Sequence, residues 1–193
     1  MTVHEPTALT MQLSRRLAAS VALVLAGLFL PLGAIMAQPA HGLLTSAELD
    51  ATRALTRVAF GSCFKASRRG HEIWSAIEAS RPQLFLFAGD TLYPSVEDSQ
   101  GDLPALASAY ATLASNAPFA AMREHIPVLP VWDDHDYGLN DGGAEFELRD
   151  DAKELFLDFF AVPADDPRRS RPGLHTAYAW GPPSRRVQLI LLE

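Results

Sequence analysis

Two short segments carry most of the side chains that could do chemistry. Ala88-Gly89-Asp90-Thr91-Leu92-Tyr93 offers a carboxylate and a phenol, and Trp132-Asp133-Asp134-His135-Asp136-Tyr137-Gly138-Leu139-Asn140-Asp141 offers carboxylates, an imidazole and an amide. Oxygen and nitrogen donors of this kind suit a metal site. Cys63 is the sole cysteine, so it forms no internal disulfide. It is a buried small hydrophobe, an intermolecular link or a metal ligand. Taken one at a time the residues have plainer readings. Asp90 after a glycine is a turn former or helix cap, Tyr93 a partly buried aromatic, His135 a satisfied loop histidine, and Asp141-Gly142-Gly143 turn chemistry.

The elements around them change that weighting. Arg57 to Cys63 reads as a short strand ending in Gly61-Ser62, and Gln83 to Ala88 is a continuous apolar run of strand length ended by Gly89-Asp90. Ile126 to Trp132 reads as a third strand, although two prolines are costly in a central ladder. Cys63, Asp90 and the Asp133 to His135 group therefore each follow the end of a strand. Helices are predicted between and after the strands. One covers 71–80, with Ile73, Trp74 and Ile77 on one face. Another runs from about Pro104 to Met122, capped by Asp102 and split near Pro118, and a third covers 147–160. Leu174 to Trp180 and Val187 to Leu192 read as a hairpin or two adjacent strands. Strands alternating with helices predict a layered α/β fold, in which binding groups collect beyond the carboxyl ends of the strands.

The chain has 193 residues, 48% of them hydrophobic, and a net charge of −7, which allows a globular domain with a sizeable core. The acidic balance argues against nucleic-acid binding, which needs a basic surface. Residues 1–37 have the layout of an export signal: Arg15-Arg16, an apolar run from Leu17 to Leu30, then small residues near Ala34 and Ala37. An uncleaved membrane anchor is the rival reading, since a bilayer needs roughly 20 apolar residues. The arginine pair also raises the twin-arginine route beside general secretion. Residues 38–56 read as a linker, and 57–193 as the domain. The final strand ends without a turn or closing element, so the domain is expected to be incomplete at its C-terminus.

Gly89-Asp90-x-x-Tyr93 followed by Trp132-Asp133-Asp134-His135-Asp136 resembles the calcineurin-like metallophosphoesterase superfamily and, within it, the PhoD-like alkaline phosphatases. Phe60-Gly61-Ser62-Cys63 and the apolar run Val187 to Leu192 resemble the same family, and the motifs stand in family order. The resemblance implies an αββα sandwich, of which this chain is the N-terminal part, and hydrolysis of phosphate mono- or diesters at a dinuclear centre.

It also implies ligands. Ser62-Cys63, Tyr93 and Asp134 stand where the wider superfamily has other residues. These substitutions resemble the PhoD variant, whose metals are Fe3+ and calcium, with other divalent ions as alternatives. Thiolate and phenolate suit a trivalent iron, and carboxylate oxygens a hard cation. Cys63 and Tyr93 would bind the iron, Asp90 would bridge, and Asp134 would hold the neighbouring metal. His135 would lie near the phosphate as the catalytic acid or donor. Asp136 would join His135 in catalysis and Asp133 would serve a metal, with orienting His135 or supporting a metal open to either, and Asn140 would bind calcium or cap its loop. The expected partner is a phosphate ester, with membrane contact only through an uncleaved signal. The rival is a truncated, catalytically inactive metallophosphatase fragment that lacks the later ligands.

Overall fold

The computed structural model of the chain describes residues 46–66, 71–94 and 101–193. The export signal read at residues 1–37 lies outside them. No helix among the described residues is long and apolar enough to cross a membrane.

The predicted strands form one parallel sheet. β1 (Val58–Gly61), β2 (Leu84–Ala88) and β3 (Val128–Val131) stand in that order, with Val58 beside Leu84 and Phe85 beside Val128. The uninterrupted apolar run takes the middle position, as a strand buried on both sides should. Pro130 is tolerated because β3 is an edge among the described strands, where one flank of the backbone has no ladder to complete.

Helices α1 (His71–Ala79), α2 (Leu103–Ala114) and α3 (Ala117–His125) lie between the strands in sequence. Asp102 caps α2 and accepts from the Ala105 N–H at 3.4 Å, as its sequence predicts. The split predicted near Pro118 occurs at Asn116, whose side chain accepts from the Phe119 N–H at 3.1 Å and starts α3 with Pro118 in its first turn. α4 (Asp134–Tyr137), α5 (Arg149–Phe159) and α6 (Pro167–Ser170) follow. β4 (Thr176–Trp180) and β5 (Val187–Leu191) then pair antiparallel, as the hairpin reading expects.

The two faces of the parallel sheet differ. Phe85 and Phe87 pack beneath Trp74 of α1 and Phe119 of α3, all four buried, and the Trp74 and Phe119 ring centroids are 4.7 Å apart. Alternation puts Val58, Phe60, Leu86 and Leu129 on the opposite face. There Val58 is 44% and Phe60 78% exposed. Leu84 on the same face is fully buried and Leu86 and Leu129 are half-buried, so among the described residues the uncovered apolar surface of this face lies on β1. β4 and β5 form a separate two-stranded sheet.

The described part of the predicted linker is hydrogen-bonded to the domain. The Ala47 N–H donates to the Arg123 carbonyl at 2.8 Å, the Gly181 N–H to the Ala51 carbonyl at 2.9 Å, and both Thr56 donors to Gln83 Oε1. Polar backbone exposed by a free linker is here satisfied by the folded body.

Candidate metal centre

The loops after β1 and β2 turn through left-handed backbone. Cys63 has φ 58°, Gly89 φ 83° and Asp90 φ 49°. For residues other than glycine this conformation costs energy and gathers at functional sites. Backbone bonds hold the two loops together: the Cys63 N–H donates to the Gly89 carbonyl at 3.3 Å, and the Phe64 N–H to the Asp90 carbonyl at 3.0 Å. The Cys63 thiol thereby comes to 3.5 Å from Asp90 Oδ2, and the Tyr93 hydroxyl donates to the same oxygen at 2.5 Å.

The loop after β3 is built by a capping box. Asp133 is extended and caps α4, with its carboxylate 3.0 Å from the Asp134 N–H, while Asp136 accepts the Asp133 N–H at 3.1 Å. Gly138, at φ 95°, closes the helix. This single turn of helix places Asp134 and His135 opposite Asp90. One ligand atom from each of Asp90, Asp134 and His135 lies within 4.8 Å of the other two.

Asp136 does something other than the catalysis the sequence suggested. It has no exposed surface, and its carboxylate accepts the Thr91 N–H at 3.0 Å and the Thr91 hydroxyl besides the Asp133 N–H. Burial pushes its carboxyl up to about 7, against the pull of the Thr91 and Asp133 donors. Asp136 is a strut that ties the loop after β2 to the loop after β3. A fully enclosed carboxylate with three donors is not positioned to touch a substrate.

Asp133 and Asn140 also stand outside the three-residue cluster. Asp133 is an exposed cap, and the exposed Asn140 amide donates to Asp141 Oδ2 at 2.8 Å. Three residues to which the sequence reading gave no part in the site matter here. Thr91 holds the strut. The Asp141 N–H donates to Asp134 Oδ2 at 2.9 Å. Lys65 Nζ sits 4.2 Å from the centroid of the Tyr93 ring, which in turn lies 4.2 Å from the His135 ring. A serine- or threonine-type residue directly after Gly-Asp was the only available sign of the first; Asp141 read as turn chemistry, and long-range pairing hid Lys65.

The donor set fits a cation. Asp90 Oδ1 and His135 Nδ1 are buried and have no hydrogen-bond partner. Orphaned buried polar atoms cost about 1–3 kcal/mol each, and an ion among these three side chains would satisfy them. Burial raises the Asp134 carboxyl, but the Asp141 N–H, the His135 ring and the His135 N–H together hold it below the ordinary range, in the ionised form a metal needs. Burial, with the Asp90 carboxylate beside it, pushes the Tyr93 phenol well above its usual value. Tyr93 therefore keeps its proton until a cation displaces it.

Cavities open on both sides. One, of about 650 Å³, is walled by Cys63 and Tyr93, and the other, of about 390 Å³, by Asp133, Asp134 and Arg149. No protein-family model and no curated protein matches the sequence. Among solved structures, one described as the structure of PhoD matches with a TM-score of 0.55 at 18% identity, over 71% of this chain and 31% of that one. This chain has part of the PhoD fold. At that identity the likeness to PhoD concerns the fold, and the chain spans about a third of PhoD's length. The α/β class and the layered arrangement read from the sequence agree with it.

Proposed function

We propose that the chain carries a metal-dependent phosphoesterase centre acting on phosphate mono- or diesters. The observation behind this reading is the convergence of Asp90, Asp134 and His135 around two buried, unpartnered atoms in a PhoD-like fold. Asp90, Asp134 and His135 hold one cation. Cys63 and Tyr93, both beside Asp90 Oδ2, hold a second, with iron on their side and calcium on the side of Asp134. When bound, such ions supply positive charge for the phosphoryl oxygens and acidify an attacking water. Lys65 adds a positive charge beside Tyr93 that draws in the anionic ester. The two ring nitrogens of His135 let one face the cation while the N–H of the other donates a hydrogen bond to a phosphoryl oxygen. In this reading the export signal at residues 1–37 puts the reaction outside the cytoplasm.

The test is metal uptake by calorimetry and elemental analysis, followed by hydrolysis of nitrophenyl phosphate and its bis ester. Iron loading should give a visible tyrosinate-to-iron band that Tyr93→Phe abolishes. Asp90→Asn and Asp134→Asn should each lower metal affinity at least tenfold. A chain that takes up no metal at micromolar concentration refutes the proposal.

One observation favours a second reading, metal binding without turnover. Among the described residues a single group of three carboxylate and imidazole ligands converges, enough for one cation rather than two. Stoichiometric uptake of one ion with no hydrolysis of either ester would select it.

A further inference from the structure

We propose that the cavity beside β1 and α1 receives a bulky apolar or aromatic group carried on the ester oxygen of the substrate. This rests on the phosphoesterase reading and narrows its substrate class. The cavity measures about 650 Å³, within the range of small-molecule pockets. Its floor is Trp74, Phe85 and Phe87, and Ile73 and Ile77 line it further. Ile73, on the helix face it shares with Trp74 and Ile77, is 48% exposed.

The location selects the occupant. Cys63 and Tyr93 line this cavity and also contact Asp90, so the apolar space begins where the acidic cluster ends. A phosphoryl group held at Asp90, Asp134 and His135 would direct one ester substituent toward that wall. Lys65 lines the same cavity with its ammonium over the Tyr93 ring, placing a cation at the boundary between apolar and anionic parts of such a ligand. Trp74 carries a buried indole N–H with no partner. An unpaired buried donor is costly, and an acceptor oxygen on the bound group would relieve it. The cavity therefore fits an amphiphilic ester: phosphate at the cluster, hydrocarbon or aryl body against α1, and an ether or hydroxyl oxygen within it.

Calorimetry with two non-hydrolysable probes tests this on the metal-loaded full chain. Phenylphosphonate should bind at least about tenfold more tightly than methylphosphonate, the difference expected for burying a phenyl ring. Ile73→Asp and Ile77→Trp, which charge and fill the cavity, should bring that ratio toward one, while Ile190→Asp on β5 should leave it in place. Equal affinities in the unaltered chain, or a ratio that survives both cavity variants, overturns the proposal. So does metal uptake with no binding of either phosphonate. Failure of the phosphoesterase reading registers separately, as no metal uptake. The cavity is then probed without metal by 2-naphthol: saturable binding weakened at least fivefold by Ile73→Asp supports the assignment, and no saturable binding overturns it.

Discussion

A Cβ placed on Gly89 would stand 2.8 Å from the Cβ of Asp133, so the loops after β2 and β3 meet at a point where only glycine fits. The contact is side chain to backbone, and it sets how far Asp90 lies from Asp134. Gly89 also has φ 83°, which other residues adopt only under strain.

Gly89→Ala should therefore push the two loops apart as well as strain the backbone. The expected loss is about 1–3 kcal/mol, visible as a lower urea midpoint. Metal affinity should fall by more than the stability loss explains, because the ligands move with the loops. An alanine variant with unchanged midpoint and unchanged metal affinity would refute this coupling.

The strut between Thr91 and Asp136 spans 45 residues of sequence. Asp136→Ala leaves the buried Thr91 N–H, the Thr91 hydroxyl and the Asp133 N–H without their acceptor, at a cost of about 3 kcal/mol. Thr91→Val removes one of these bonds and should cost less, about 1–2 kcal/mol. Asp133→Ala, at an exposed cap, should cost about 1 kcal/mol. Equilibrium unfolding of the three variants checks the order; an Asp136 variant no worse than the Asp133 variant would sink it.

How much of this was readable follows from what each residue depends on. The run Leu84 to Ala88 announced its strand because a buried strand needs only local hydrophobicity. Asp102 and Pro104 announced the start of α2 through local capping chemistry. Cys63, Asp90 and the Asp133 to His135 group were placed at strand ends by the same local logic, and the fold brings Asp90, Asp134 and His135 together. Asp136 misled because its partner, Thr91, is distant in the chain, while the one local clue, an Asp-x-x-Asp capping box, competes with a catalytic reading of the same residues. α4 was invisible since four residues carry no helical period. The exposure of Phe60 and Ile73 was equally hidden, as an apolar pattern says which face wants cover and not whether cover is present.

Acid stability should report the Asp166–Arg168 pair. Their side chains meet at 2.8 Å, and the Arg168 guanidinium holds the Asp166 carboxyl down at about 2. A carboxyl whose folded value lies below its unfolded one binds more protons unfolded, so the pair stabilises above about pH 4 and loses that contribution as pH falls toward 2. Solvent screening limits it to about 1 kcal/mol or less. Asp166→Asn should lower stability at pH 7 and match the unaltered chain at pH 2. A difference that persists at pH 2 would assign the effect to the cap on α6 instead of the charge.

The exposed apolar edge of the parallel sheet at β1 makes the last prediction. Phe60 is 78% exposed on β1, and Val58 beside it on the same face is 44% exposed. Apolar surface of this kind drives association in water, and among the described residues β1 is also an edge strand. The purified chain should self-associate at micromolar concentration. Phe60→Lys places a charge on the exposed edge of that face, while Phe85 and Phe87 lie on the other side of the sheet. It should shift the population toward monomer in sedimentation velocity and leave the unfolding free energy within about 0.5 kcal/mol of the original. Ile190→Lys on β5, exposed at 60% but on a separate sheet, should have a smaller effect. Equal effects of the two substitutions would mean that general surface charge, and not the exposed apolar edge, controls association.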